Sequence, residues 1–234
     1  MRQKKFSITQ KRYFPSPCVF CQQIHQGSKV LCNRCMAFLQ PIGFACDYCA
    51  LPLPDENGGL CGFCIKKKPA FDKVFTAYLF EEPLRHLIHE FKYQEGLYLA
   101  HFLTELILKA LPEAASQTEC LVPVPLHPRR LRERGFNQAA ELAKLLSRQL
   151  GIPFANTLCQ KTANTASQAR LNRKERALNI QQAFSCKPGK YQHITLIDDL
   201  LTTGSTAEAI ARSLKKQGVT QVDVWCCARA VQKK

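Results

Sequence analysis

The stretch ITLIDDLLTTGST, residues 194–206, decides the fold of this chain. It begins as an apolar run of strand length, reaches two adjacent carboxylates, and passes through small polar residues into the helical pattern AEAIARSL. A strand, a turn with glycine and hydroxyl groups, and a helix N-terminus together form an anion cradle, because the first helical N–H groups lack an intrahelical acceptor. Gly204 lets the backbone approach a phosphate closely. The sequence therefore predicts a phosphate site in this turn.

The side chains around this turn divide into two roles. Hydroxyl and backbone donors to a phosphate come from Thr202, Thr203, Gly204, Ser205 and Thr206. Asp198 and Asp199 repel a phosphate, so we expect them to accept hydrogen bonds from hydroxyls beside it, as a ribose would supply. A capped helix after a solvated strand end is the simpler interpretation, but caps need neither two carboxylates nor five small polar residues in this order.

Eight cysteines near the N-terminus form four CxxC pairs: Cys18/Cys21, Cys32/Cys35, Cys46/Cys49 and Cys61/Cys64. Two such pairs complete one tetrahedral zinc site, so four pairs predict two Zn²⁺ ions. Sequential pairing is the simplest arrangement, and an interleaved pairing also satisfies the count; an iron–sulfur centre is the alternative metal. Four cysteines leave no open position on zinc, and the segment has few long apolar runs, so the prediction is structural zinc that replaces a core.

The composition is strongly basic, with 33 Lys and Arg against 18 Asp and Glu and a net charge of +15 over 234 residues. This balance predicts attraction to polyanions. No apolar run approaches the roughly 18–20 residues that span a bilayer, and the basic N-terminus lacks the apolar segment of a secretory signal. We therefore expect a cytoplasmic protein without a membrane span, whose cysteines bind metal or lie buried rather than form disulfides.

The order of patterns predicts two parts: a basic arm and zinc module over residues 1–68, and an α/β domain over residues 69–234. The periodicities of the second part predict extended chain over 71–80, helices over 83–96, 97–111 and 139–150, and strands over 121–125 and 222–228. Four arginines between residues 129 and 134 predict an anion-binding loop, because arginine matches phosphate oxygens bidentately. The polar, basic stretch 160–184 predicts a mobile loop that leads into a short helix.

The stretch IDDLLTTGST resembles the phosphoribosyl pyrophosphate (PRPP) motif of type I phosphoribosyltransferases, in which apolar residues precede Asp-Asp, two variable residues and Thr-Thr-Gly-x-Thr. The variable residues here are Leu200 and Leu201. The resemblance implies that Asp198 and Asp199 hold the ribose hydroxyls and that residues 200–206 surround the 5′-phosphate. Mg²⁺ is expected to accompany PRPP, because it neutralises part of the pyrophosphate charge.

A closer resemblance covers nearly the whole chain. The four CxxC pairs are followed by LIHEFKYQEG, VPVPLHPRRLRERGFNQ and TASQARLNRKERALNIQQAF, and this order is similar to that of the ComF/ComFC (GntX-like) family. The resemblance implies a type I phosphoribosyltransferase fold, a parallel sheet flanked by helices, with a small N-terminal zinc-binding module. It also implies PRPP binding and a role in natural transformation. By the same resemblance, the pyrophosphate-loop position would fall on Arg129, Arg130 and Arg134, and a flexible loop that closes over PRPP would fall on residues 161–176.

Three hypotheses from different classes follow. The first is a competence protein that binds PRPP and single-stranded DNA and works with DNA-uptake or recombination proteins. The second is an active phosphoribosyltransferase of nucleotide metabolism, and the third is a regulator that senses PRPP without chemistry. No catalytic side chain is assigned, because the nucleophile would belong to the acceptor. Candidate DNA contacts are Lys66, Lys67, Lys68, Arg170, Arg173, Lys174 and Arg176. The basic arm adds Lys4, Lys5, Lys11 and Arg12, and the aromatic residues near these charges that could stack on unpaired bases are Tyr13, Phe14, Phe20 and Phe63.

Overall fold

A computed structural model gives the structure of the protein and describes residues 15–26, 30–54, 58–112, 117–162, 183–187 and 189–231. Most of the basic arm lies outside these ranges, as does the predicted flexible loop beyond residue 162. The DNA candidates that also lie outside them are Arg170, Arg173, Lys174 and Arg176. Assignments that fall on these residues, and the division of the chain at residue 68, stay predictions.

A parallel sheet forms the centre of the fold. The strands of the described chain are β1 (Ser16–Pro17), β2 (Ile24–His25), β3 (Lys73–Phe75), β4 (Tyr78–Leu79), β5 (Cys120–Pro123), β6 (Cys159–Lys161), β7 (Phe184–Cys186), β8 (His193–Leu201) and β9 (Gln221–Arg229). The order across the central sheet is β3-β9-β8-β5, with β4 pairing the end of β9, and every pairing in it is parallel. Such a sheet needs cover on both faces, which explains its continuous apolar runs.

Neighbouring residues of the central strands enter two different cores. The helices are α1 (Asn33–Met36), α2 (Gly62–Lys66), α3 (Leu84–Glu90), α4 (Ala100–Lys109), α5 (Pro128–Arg134), α6 (Gln138–Leu150) and α7 (Ser205–Lys216), with a 3₁₀ helix over Gln94–Leu99. Leu196 and Val224 pack in one apolar cluster with α7. The next residues along each strand, Ile197 and Trp225, pack in the other cluster with α3, α4 and α6. This alternation places helices on both sheet faces.

The N-terminal module is joined to the sheet through the segment that contains β4. The backbone N–H of Leu79 donates to the Gln40 carbonyl at 2.8 Å, and that of Ile42 donates to the Ala77 carbonyl at 3.0 Å. Within the module, β1 and β2 form a short antiparallel pair. The predicted fold class, a helix-flanked parallel sheet with a four-cysteine module, is confirmed. In the part of the chain that the structure describes, no helix is long and apolar enough to cross a membrane.

Two local features differ from the predictions. Residues 128–134 form helix α5 rather than a loop, because His127 caps the first turn, Pro128 opens it, and Gly135 ends it at φ +81°. Cys159 and Cys186 are buried as expected, but they are joined by a disulfide between the paired strands β6 and β7. The expectation that cysteines outside the metal pairs form no disulfide was wrong for these two. Cys120, Cys226 and Cys227 are buried and free, as predicted.

Candidate functional site

The eight cysteines of the CxxC pairs gather into two clusters. Sequential pairing is confirmed, because Cys18, Cys21, Cys32 and Cys35 form one group and Cys46, Cys49, Cys61 and Cys64 form the other. The sulfur atoms within each group all lie within 4.8 Å of one another. Helices α1 and α2 each begin after one of these cysteines, so a CxxC pair spans each helical start.

The spacing of the sulfur atoms fits a zinc ion in each cluster. A tetrahedral site with Zn–S bonds of about 2.3 Å has sulfur atoms about 3.8 Å apart. The Cys21 and Cys32 sulfurs are 3.8 Å apart, and the Cys49 and Cys61 sulfurs are 3.6 Å apart. The eight cysteines would therefore hold two zinc ions in closed, structural sites.

The thiols of each cluster differ in acidity. Burial opposes ionisation of Cys18 and Cys46, but backbone N–H groups within each cluster outweigh it and lower their pKa values to about 6 and about 7. Burial raises the pKa of Cys49 to about 11, and burial with neighbouring thiols raises the pKa of Cys35 and Cys64 further. Four thiolates are thus stable together only with a cation between them, so metal binding must displace protons.

The two predicted carboxylates lie near the C-terminal end of β8, which continues past them to Leu201. Both are partly exposed, and the backbone N–H of Asp199 donates to Asp198 Oδ1 at 2.9 Å. Burial, and then the adjacent Asp199 charge, raises the pKa of Asp198 well above its usual range, while the positive charge of Lys92 works in the opposite direction. The pair therefore offers strong acceptors whose ionisation is costly in the free protein.

The predicted cradle directly follows these carboxylates. Gly204 precedes the first turn of α7 at φ +76°, a conformation that favours glycine. The Thr203 hydroxyl lies 2.8 Å from that of Ser205 and accepts from the Ser205 backbone N–H at 3.3 Å. Thr202, Thr203 and Ser205 are exposed. The turn thus presents hydroxyl groups to solvent in front of a twelve-residue helix.

The arginines of α5 have different surroundings. Arg129 pairs with Glu133 at 3.0 Å on the exposed side of the helix. Arg130 lies close enough to Lys161 that its charge, after burial, contributes to lowering the lysine pKa. Two neighbouring cations of this kind favour an anion between them.

Arg134 is joined by two hydrogen bonds, through Gln138, to Lys92, whose charge acts on Asp198, a connection that the sequence did not predict. Arg134 donates to the Gln138 side-chain oxygen at 3.0 Å, and Gln138 Nε2 donates to the Lys92 carbonyl at 3.0 Å. Gln138 is buried, and Lys92 acts electrostatically on Asp198. The RGFNQ stretch contains Gln138, but no local pattern pointed to Lys92, which is 46 residues away.

The DNA candidates that the structure describes lie at the end of the zinc module. Lys66, Lys67 and Lys68 are exposed, and Phe63, on the short helix that ends at Lys66, is 74% exposed. The Lys68 ammonium lies 5.1 Å from the centre of the Tyr48 ring, which holds it against the second cluster. Phe20 instead packs edge-on against His86 at 5.8 Å.

The fold and the clusters define a class of protein, a double zinc-ribbon-like module joined to a parallel sheet flanked by helices. A family model described as a double zinc ribbon domain matches residues 10–65. The chain is 34% identical to Competence protein F of Haemophilus influenzae over 228 residues, covering 93% of this chain and 99% of the relative. It is 32% identical to DNA utilization protein YhgH of Escherichia coli K12, covering 93% of this chain and 98% of the relative.

A more distant relative is Competence protein ComFC of Bacillus subtilis, 26% identical over 86% of this chain and 89% of the relative. The chain belongs to the competence protein F family, as the resemblance to ComF/ComFC implied.

Proposed function

We propose that this protein acts in competence and DNA uptake in the cytoplasm, where it binds PRPP at residues 198–206 and single-stranded DNA through basic surfaces. The names of its relatives, competence protein and DNA utilization protein, support the biological role. The residues of the chain itself support the two ligands.

The acid pair beside the cradle is the observation that carries the PRPP proposal. A phosphorylated ribose presents neighbouring hydroxyl donors at one end and a dianion at the other. Asp198 and Asp199 supply charged acceptors for the hydroxyls, and the exposed turn in front of α7 supplies donors for the 5′-phosphate. Arg129, Arg130 and Arg134 on α5 supply positive charge for the pyrophosphate, and Mg²⁺ would neutralise the rest.

The DNA proposal is supported by charge and exposure at the end of the zinc module. Three consecutive exposed lysines begin at the last residue of α2, and Phe63 of that helix is exposed over most of its surface. Lysines that contact phosphates give affinity without sequence preference, and an exposed aromatic ring can stack on an unpaired base. This combination favours single strands over duplex. The competing interpretation is that the positive charge serves PRPP alone.

The deciding experiment is a titration of the zinc-loaded full chain with PRPP in Mg²⁺, followed by a screen for pyrophosphate release. Bases, nucleotides and single-stranded DNA serve as acceptors, and Asp198→Asn/Asp199→Asn is the binding control. PRPP binding without release supports a binding or sensing role. Release with one acceptor class would replace this proposal by the phosphoribosyltransferase alternative, and no PRPP binding by the wild type would refute both.

A further inference from the structure

Arg229 at the end of β9 is a buried cation whose donors contact main-chain carbonyls. Its Nε donates to the Cys49 carbonyl at 2.9 Å. Its Nη1 contacts the carbonyls of Leu201 at 3.1 Å, Ala230 at 2.6 Å, and Thr202. A buried guanidinium is stable only when its donors are satisfied, so these carbonyls take the place of a carboxylate partner.

Three of the four acceptors of Arg229 belong to the two sites described above. Cys49 is a ligand position of the second four-cysteine cluster, whereas Leu201 and Thr202 begin the turn that precedes α7. A trans peptide places its C=O and N–H on opposite sides. A guanidinium that holds the Leu201 and Thr202 carbonyls therefore directs the N–H groups of Thr202 and Thr203 away from itself, and so fixes the orientation of the turn.

The two cysteine clusters differ in how they contact the turn that precedes α7. The second cluster packs in the same apolar cluster as Ala207 and Ile210 of α7, directly after the turn. The first cluster packs with Leu84 and Leu87 of α3 on the other face of the sheet. The contact through Cys49 therefore gives only the second cluster a direct polar connection to the turn among the described contacts.

We propose that Arg229 is a positioning residue for the turn that precedes α7, which we call the PRPP turn. Through Arg229, the geometry of this turn depends on zinc in the second cluster. The inference rests on the proposed function for its ligand, but the coupling between cluster and turn is independent of PRPP. The planar guanidinium of Arg229 donates from Nε to the cluster and from Nη1 to the turn. The single ammonium group of a lysine cannot make both contacts in this geometry. The second cluster thereby supports the turn as well as its own segment of chain.

The first test is hydrogen exchange on the full zinc-loaded chain without PRPP. Cys61→Ala removes a ligand from the second cluster, and Cys32→Ala is the matched change in the first. We expect exchange at the amides of residues 202–206 to accelerate at least tenfold in Cys61→Ala and less than twofold in Cys32→Ala, relative to β5 amides in the same molecule. Equal acceleration in the two variants, or none in Cys61→Ala, would overturn the coupling.

The second test compares Arg229→Lys with Arg212→Lys, which keeps the charge on α7 in a residue paired with Glu208. Calorimetry with PRPP and Mg²⁺ should give at least tenfold weaker binding for Arg229→Lys at an unchanged zinc ratio, and less than twofold change for the control. Affinity within twofold of wild type would overturn the role of Arg229. If Arg229→Lys does not fold, the hydrogen-exchange comparison of Cys61→Ala with Cys32→Ala tests the coupling instead. A wild type that fails to bind PRPP refutes the proposed function and leaves the exchange result standing.

Discussion

Replacing Asp198 by Asn should stabilise the free protein and weaken PRPP binding at the same time. The backbone N–H of Asp199 donates to Asp198 Oδ1 at 2.9 Å, and an amide oxygen can keep that acceptor without the charge. Burial and the adjacent carboxylate raise the pKa of Asp198 well above its usual range. An ionised Asp198 is therefore less favourable in the folded state than in the unfolded chain.

The sign of the pH dependence follows from this raised pKa. A carboxyl group whose folded-state pKa is raised contributes its full stability below the unfolded pKa, and that contribution is lost as pH rises through the folded value. The thermal midpoint of Asp198→Asn should consequently exceed that of wild type most at high pH, and the difference should shrink as pH falls. Because wild type and Asp198→Asn carry the same zinc sites, the difference between their thermal midpoints at each pH excludes the pH dependence of zinc binding.

The loss of ligand affinity can be estimated from the two acceptors. Hydrogen bonds to charged groups contribute about 1.5–3 kcal/mol each, and amides retain part of this, so the double variant should lose about 2–4 kcal/mol. That corresponds to roughly 30-fold to 900-fold weaker binding. Glu105→Gln/Glu119→Gln removes two exposed carboxylates outside both sites and should leave the affinity unchanged. Equal PRPP affinity in wild type and Asp198→Asn/Asp199→Asn would refute the ribose assignment.

Metal analysis should give about two zinc ions per chain, because eight thiolates form two closed tetrahedra; a ratio near zero in folded protein would exclude structural zinc. Mg²⁺ should strengthen PRPP binding by neutralising pyrophosphate charge, and equal affinity in chelator would contradict this. Changing Lys66, Lys67 and Lys68 to Ala should make the slope of log DNA affinity against log salt shallower by up to about 2, at roughly 0.7 per phosphate. A charge-matched variant with Lys109, Lys144 and Lys216 changed to Ala should alter this slope less. Equal slopes in the two variants would count against a DNA surface at residues 66–68.

The patterns that predicted structure well were local or periodic. The CxxC spacing predicted the two four-cysteine clusters, and the apolar runs located β8, β9 and α7, because these signals depend on neighbouring residues. The four arginines of residues 128–134 favoured a loop prediction that was wrong, although Pro128 and Gly135 are helix start and stop signals. The capping residues at both ends of this segment stabilise a helix, and the four arginines are compatible with it.

The features that the sequence did not predict depend on contacts between distant segments. Cys159 and Cys186 are 27 residues apart, and their pairing follows from the register of β6 and β7. Arg229 ends an apolar strand, and its partners are carbonyls up to 180 residues away, which carry no residue-type signal. Lys92 likewise accepts a hydrogen bond from Gln138, 46 residues along the chain, so no local pattern indicates its electrostatic effect on Asp198.

Removing zinc from the second cluster should weaken DNA binding and PRPP binding together. The cluster's cysteines share one apolar core with Val224 and Ala207, so the metal-bound segment packs on the sheet near the PRPP turn. That segment ends in the exposed lysines, and it also supplies the Cys49 carbonyl to Arg229. Changing Lys66, Lys67 and Lys68 to Ala should weaken DNA binding and leave PRPP binding unchanged. Titrating both ligands after partial chelation tests this, and a loss confined to DNA would contradict a zinc-dependent PRPP turn.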